Sequence, residues 1–431
     1  MSVIIKFLKG VRNHWKKSTL GAVCFVYGCN YAKNAYDTNL LMREYCMKAL
    51  EYGKEPISKD SKPRNITIIL NPNANKRKAH KRFQKHCAPI LYVAGICVDV
   101  IQTESEGHAK RLMEELKNTD AIVVAGGDGT LSEVVSGLMR RLEDVQTDAV
   151  PLGILPLGSH NTVGKTLFPG DGDLKDVKSL ADASLAVVEA CTKPVDVMKI
   201  EVTDKTENSG KPIYAVSCLE WGAFRDAEAR KDKYWYFGPL RSYITYLVNG
   251  FKNDLNWDCK ATINYTLPCK GCSNCQAKPN ENRRWYHRFM PYKERVAELT
   301  TVANDECQEI HEKEISTVDF SLFTSNIVAN VDHAKSNDEP AKLSLTLGPK
   351  TVDYTNFVSQ GWKSEKGFGR NYSEVIEAKQ IEIIPKSNQQ HGKEFWYSID
   401  KEDYEVKPIK ITLMPRALRM FCRKSDIELV Q

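Results

Sequence analysis

Ala125-Gly126-Gly127-Asp128-Gly129-Thr130-Leu131 is the stretch on which the fold turns. An apolar run, Ala121 to Ala125, leads into it, and Leu131, Val134, Val135, Leu138 and Leu142 follow at helical spacing. The reading is strand, sharp turn, helix. Glycines in such a turn let backbone N–H groups approach a phosphate at the positive end of the helix. Thr130 and Glu133 fit a capping box that would set the start of that helix. Asp128 would repel a phosphate directly, so its natural role is to hold Mg²⁺ or to orient and deprotonate an attacking hydroxyl. The bland alternative is a tight Asp-Gly turn with no ligand.

Outward from this turn the pattern repeats. Ile66 to Leu70 is a short apolar run, Lys78 to Leu91 can be a helix, and Ile96 to Ile101 is a second strand. Ala109, Leu112, Met113 and Leu116 mark a helix face, and Leu152 to Leu155 offers a fourth strand. Strands alternating with helices imply parallel βαβ units with helices on both faces. Ligands in such sheets bind beyond the carboxyl ends of the strands. Two more loops fall there. Asn71-Pro72-Asn73-Ala74-Asn75-Lys76 follows the first strand and suits either phosphate contact or a solvated turn. Pro156-Leu157-Gly158-Ser159-His160-Asn161-Thr162 follows the fourth. Gly158 with Gly164-Lys165-Thr166 imitates a Walker A loop, but five residues separate the glycines where that loop allows four. The loops after strands 1, 3 and 4 are expected to converge on one crevice.

From about Cys191 the sequence changes to short strand candidates with few convincing helices: 196–202, 213–221, 318–323, 343–347, 381–384, 395–399 and 409–413. The expected division is residues 1–60 as an N-terminal segment and linker, 61–190 as an α/β domain and 191–431 as a β-rich domain. An insertion is expected near 265–316. Asp400 and Glu402 read as alternate residues on a strand end, projecting to one side. Cys269-x-x-Cys272-x-x-Cys275 could give thiolates to Zn²⁺, with Cys259 or Cys307 as a fourth; a disulfide or free thiols are the other readings.

Composition narrows the classes. The 431 residues carry 61 Lys+Arg against 55 Asp+Glu, a net charge of +6. Lys6, Lys9, Arg12, Lys16, Lys17 and Lys33 supply that excess within an acid-free start, so the remaining chain is neutral overall. It lacks the basic field that nucleic-acid binding needs. Thirteen scattered cysteines are not a secreted disulfide framework. Ile4, Phe7, Leu8, Val11 and Trp15 make a basic amphipathic helix, followed by an uncharged run from Ser18 to Ala32. That run is short for a membrane span. A mitochondrial address with a membrane anchor, an interfacial anchor, and an ordinary packed helix all fit.

Asn71-Pro72, Gly126-Gly127-Asp128-Gly129-Thr130, Pro156-Leu157-Gly158 and the distant Asp400-Lys401-Glu402 together resemble the diacylglycerol and sphingosine kinase family. Further likenesses, among them Trp221-Gly222-Ala223-Phe224 and Tyr234-Trp235-Tyr236-Phe237-Gly238-Pro239-Leu240, are to its mitochondrial, multi-substrate branch. The resemblance implies a Rossmann-like, three-layer nucleotide domain and a C-terminal β-sandwich, of the NAD kinase and diacylglycerol kinase type. It implies Mg²⁺ and ATP, and phosphorylation of monoacylglycerol or diacylglycerol, with ceramide and sphingosine as further substrates. Asn71, Pro72, Asn75, Lys76, Gly126, Gly127, Gly129, Thr130, Gly158 and Ser159 would contact the nucleotide. Glu402 falls at the general-base position, Asp128 is essential and an alternative base, and Asp128 and Asp400 are metal-side carboxylates. Lys401 replaces the family's Gly and His160 departs from another. The implied location is the mitochondrial inner membrane, facing the intermembrane space. A NAD-phosphorylating kinase with the same Gly-Gly-Asp-Gly-Thr loop is a rival; a scaffold subunit of the inner-membrane carrier translocase is another.

Overall fold

The computed structural model describes residues 14–54, 62–116, 119–144, 150–170, 172, 174–203, 211–252, 259–269, 272, 307, 309–326, 340–366, 369–386 and 396–428. Residues 4–13 of the expected amphipathic helix, the 55–61 part of the linker and Cys275 lie outside them.

The N-terminal half is a parallel sheet in the order β2-β1-β3-β4: β1 (Asn65–Leu70), β2 (Cys97–Gln102), β3 (Ala121–Gly126) and β4 (Leu152–Pro156). Ile66, Ile68, Ile69 and Leu70 are fully buried, as are Val123, Val124, Ala125 and Leu155. These continuous apolar runs are what a parallel sheet covered on both faces requires. One face carries α2 (Ala79–His86), α3 (Ala88–Val93) and α7 (Lys175–Glu189); the other carries α4 (His108–Glu115) and α5 (Asp128–Asp144). The helix expected over 78–91 is broken at Cys87, where Pro89 opens the second piece. α6 (Thr162–Leu167) follows β4 and contains Gly164-Lys165-Thr166, so the false Walker sequence is helix and not loop.

α1 (Trp15–Gly53) precedes the sheet. Its second half seats Thr38, Tyr45 and Ala49 on α3 and α7, and the Tyr45 hydroxyl donates to Asp182. Its first half stands clear, with Trp15, Leu20, Val23, Phe25, Val26, Tyr27 and Tyr31 all more than half exposed. Among the described residues no helix is long and apolar enough to cross a membrane.

The C-terminal half packs two sheets face to face. β5 (Thr192–Val202), β6 (Ile213–Ala215), β8 (Cys259–Thr266), β9 (His311–Thr317), β13 (Gln380–Pro385) and β16 (Ile409–Phe421) extend the first sheet. β7 (Cys218–Gly222), β10 (Asp319–Thr324), β11 (Leu343–Leu347), β12 (Glu374–Ala378), β14 (Trp396–Ile399) and β15 (Glu402–Glu405) form the second. Met198, Ile263, Ile381 and Ile411 from one sheet meet Trp221, Phe320, Leu345 and Tyr397 from the other. β16 belongs to both halves. Ile409 to Met414 pair with β5, a bulge with Arg416 at φ +52° bends the strand, and Met420 then pairs with Leu152 of β4.

Several expectations change. The strand expected over 213–221 is two strands parted at Val216 and Ser217. The second half also contains helices, among them α8 (Ala223–Ala229), α9 (Arg241–Lys252) and α10 (Tyr354–Glu365). They pack as a satellite core around Phe224, Tyr246 and Phe357. Strands β8 and β9 overlap the two ends of the insertion expected near 265–316, so its last six residues, 311–316, belong to a strand of the sheet.

Candidate active site

The crevice opens at the carboxyl edge of the parallel sheet, where β2 and β3 flank β1, the switch point of such sheets. A cleft of about 260 Å³ lies there. Asn71 and Asn73 line it from the end of β1, Thr103 and Glu106 from the end of β2, Gly129, Thr130 and Glu133 from α5, and Glu402 from the distant C-terminal half.

The loops after β1, β3 and β4 do meet. Asn71 Nδ2 donates to Thr130 Oγ1 at 3.1 Å, and Asn71 Oδ1 accepts from Asn73 N–H at 3.0 Å. Pro72 lies within this turn, and Asn75, Lys76 and Arg77 follow with φ of 51°, 55° and 63°. Three successive non-glycine residues in the left-handed region cost about 1–2 kcal/mol each, and the strained stretch leaves Lys76 and Arg77 exposed. Gly158 N–H and Leu157 N–H both donate to Gly126 O, at 2.9 and 3.1 Å. A Cβ on Gly158 would stand 2.7 Å from Gly127 N, and one on Gly127 would stand 2.9 Å from His160 O. These glycines are required by close backbone approach rather than by positive φ. Asn161 fixes the third loop through Gly158 N–H and C=O, while Ser159 is exposed.

Asp128 is buried, and both of its oxygens are occupied. Thr162 N–H donates to them at 2.8 and 2.9 Å, and Thr162 Oγ1 donates at 2.9 Å. It therefore caps α6 and ties the Gly-Gly-Asp-Gly-Thr turn to the loop after β4. The capping box is corrected here: Glu133 reaches not its own helix but α4, accepting from Gly107 N–H at 2.9 Å and Ala109 N–H at 3.2 Å. Thr130 Oγ1 is the acceptor of Asn71 instead.

The expectation that Asp400 and Glu402 alternate on one strand face is also corrected. Ile399 pairs with Glu402, leaving Asp400 and Lys401 as a two-residue hairpin turn with φ of 47° and 69°. Both values positive is the type I′ pattern that matches strand twist. Asp400 turns back and accepts three backbone N–H groups, from Val216 at 2.9 Å and from Ser217 and Cys218 at 3.0 Å. Those donors are the break between β6 and β7. Burial pushes its carboxyl up to about 6 against the pull of those bonds. Lys401 takes the left-handed position where glycine is easiest, and its ammonium donates to Glu220 at 2.6 Å and Glu228 at 3.1 Å. Arg370 completes this buried cluster, bonding Glu220 at 2.7 Å and Asp319 at 3.0 Å. Burial opposes the charge on Glu220, but Lys401 and Arg370 outweigh it and hold the carboxyl down to about 2.

Of the two carboxylates flanking Lys401, Glu402 is the one that lines the cleft. A Cβ on Gly129 would lie 3.2 Å from Glu402 Oε1, so the glycine makes room for it. Tyr404, two residues on along β15, donates to Glu402 Oε2 at 2.9 Å. Burial raises the carboxyl, the Tyr404 bond lowers it, and Glu133, Glu106 and Asp400 raise it again, to about 7. A base poised there can take a proton from a hydroxyl at neutral pH.

Residues 65–200 match the diacylglycerol kinase catalytic domain family, and residues 216–431 match the acylglycerol kinase C-terminal family. Mitochondrial acylglycerol kinase of Mus musculus is 34% identical over 96% of both chains. The chain belongs to the acylglycerol kinase family. It is a lipid kinase of two-domain, diacylglycerol kinase fold. The Homo sapiens acylglycerol kinase is equally similar, at 34% identity over 96% of both chains. Sphingosine kinase 1 of Rattus norvegicus is 32% identical over 42% of this chain and 47% of its own. The fold matches a solved Bacillus anthracis protein assigned as a diacylglycerol kinase, with TM-score 0.50 and 19% identity over 85% of this chain and 99% of that one.

Tyr404, Thr103 and Glu106 lie at the candidate site without having been singled out in the sequence, and Thr162 was given no role beyond its loop. Only Tyr404 carried a signal, the period of two from Glu402 on a strand.

Proposed function

We propose that the chain transfers the γ-phosphoryl of Mg-ATP to a hydroxyl of monoacylglycerol or diacylglycerol, with ceramide and sphingosine as further acceptors. The observation that carries this is Glu402, half-buried above Gly129 and raised to about 7 beside the loops of Asn71 and Thr130. The phosphates would lie along Gly126, Gly127, Gly129 and Thr130, where the first turn of α5 leaves N–H groups without helical acceptors. Lys76 and Ser159 would close over them from the flanking loops.

Glu402 accepts the proton of the substrate hydroxyl as its oxygen bonds to the γ-phosphorus and the bond to the ADP oxygen breaks. Tyr404 orients the carboxylate. Asp128 and Asp400 position the two halves of the site through Thr162 and the 216–218 backbone. Glu106 and Glu133 crowd negative charge around Glu402, an arrangement that suits a divalent cation. Mg²⁺ bound there would neutralise phosphate charge as the bond breaks. Asp128 or Asp400 would ligate it only by releasing an N–H donor, so phosphate oxygens and water would fill most of its coordination, as is usual for this ion.

The exposed apolar half of α1 supports attachment to a membrane, where an insoluble substrate is reached; the membrane proposed is the mitochondrial inner one, on its intermembrane-space side. The same face supports a second reading, a subunit of the inner-membrane carrier translocase. The test is transfer from labelled ATP to micelles holding each lipid, and NAD, separately, with Glu402→Gln beside the wild type. Labelled lipid that vanishes in the variant is expected. No transfer by folded, ATP-binding protein, with co-purification of translocase subunits, would favour the second reading.

A further inference from the structure

The cysteine run that the kinase chemistry leaves unused is drawn together by the fold. Cys269 and Cys272 leave β8 three and six residues past its last position, and Cys307 precedes β9 by four. They are up to 38 residues apart in sequence, yet the three sulfurs lie within 4.8 Å of one another. Cys272 is buried, and the other two are partly so. Zinc bonds to thiolate at about 2.3 Å, which sets tetrahedral sulfurs about 3.8 Å apart, so three thiolates so gathered have the spacing of one coordination sphere. Cys269-Lys270-Gly271-Cys272 has the two-residue gap of structural zinc loops.

From this convergence we infer that Cys269, Cys272 and Cys307 form a structural site for a soft divalent cation, zinc, at the base of the connection between β8 and β9. The ion accepts three thiolates, the three thiol protons pass to solvent, and the fourth position falls to a ligand outside this trio. The site staples the open end of an edge hairpin. β8 and β9 pair from Cys259↔Thr317 to Tyr265↔His311, and the staple lies just beyond that last pair. It holds the ends of the long connection where the ladder stops.

The test uses the full chain purified without chelator from zinc-sufficient medium. Metal content is measured by mass spectrometry, and release is followed with a mercurial and a chromogenic chelator. About one zinc per chain is expected for a single structural site. It should be released as thiols are blocked, retained in Cys97→Ser and lost in Cys272→Ser. Should Cys272→Ser not fold, Cys269→Ser and cobalt loading of the wild type decide. Thiolate-to-cobalt charge-transfer absorption supports the site, and folded cobalt-treated protein without it overturns the inference. A mass two hydrogens lower, with one of the three sulfurs in a disulfide, also overturns it, as does zinc content unchanged by the variants.

Discussion

Tyr404→Phe isolates the tuning of the base. The hydroxyl donates to Glu402 at 2.9 Å, so it stabilises the charged carboxylate and holds its pKa below where burial alone would set it. A hydrogen bond to a charged group contributes about 1.5–3 kcal/mol, and 1.36 kcal/mol corresponds to about one pH unit. Water reaching the half-buried carboxylate replaces part of the bond, leaving an upward shift of about one unit. Tyr404 itself stays protonated, because burial and the neighbouring carboxylate raise its own pKa. The acid limb of kcat/KM, expected near pH 7 in the wild type, therefore moves up by about one unit. On that limb the variant loses about tenfold in kcat/KM, and at about pH 9 it approaches the wild type. The assay is initial-rate transfer to a fixed lipid micelle across the pH range, with ATP affinity measured separately. A limb that stays in place or moves down would refute the assignment of Glu402 as the titrating base.

Glu402→Gln should stabilise the fold, with a definite sign. Because the folded pKa is raised to about 7, the native state binds more protons than the unfolded state between about pH 4.5 and 7, and stability falls as pH rises through that window. The variant escapes that loss: denaturant unfolding at about pH 8 should show a gain of up to about 3 kcal/mol before solvent screening, vanishing near pH 4.5. Gly158→Ala forces a Cβ into the Gly127 backbone and should abolish ATP binding measured by calorimetry; retained affinity would deny that these loops must touch. Arg370→Leu leaves Glu220 and Asp319 with one cation fewer in a buried cluster and should cost about 3–5 kcal/mol in thermal or chemical unfolding. A loss below about 1 kcal/mol would show that Lys401 alone suffices there.

The α/β half was legible because its signals are local. Ile66 to Leu70 and Ala121 to Ala125 are buried on both faces, so each reads as an uninterrupted apolar run, and the glycine-rich turn marks where helix follows strand. The helices of the second half were not. α9 and α10 do place apolar residues at helical spacing, Ile244, Leu247, Val248 and Phe251 in one and Tyr354, Phe357 and Val358 in the other, but these short helices lie among strand candidates and cover one another and α8 around Phe224, Tyr246 and Phe357. Lys401 is instructive. It stands where the family has Gly, and its φ is 69°, the conformation that glycine would favour. The ion pairs to Glu220 and Glu228, both far away in sequence, offset the strain. Glu133 misled for the converse reason: its spacing from Thr130 is that of a capping box, but tertiary packing offers it the bare N-terminus of α4. The role of Asp128 likewise depends on Thr162, which no spacing rule connects to it.

The central claim is that Glu402 removes the proton of a lipid hydroxyl in a cleft that has already bound ATP. Single-turnover transfer from labelled ATP to monoacylglycerol micelles, by wild type and Glu402→Gln at matched ATP occupancy, tests it most directly. The account predicts a rate lowered by about 10²–10⁴-fold in the variant with ATP affinity retained. Transfer at the wild-type rate by Glu402→Gln would contradict it.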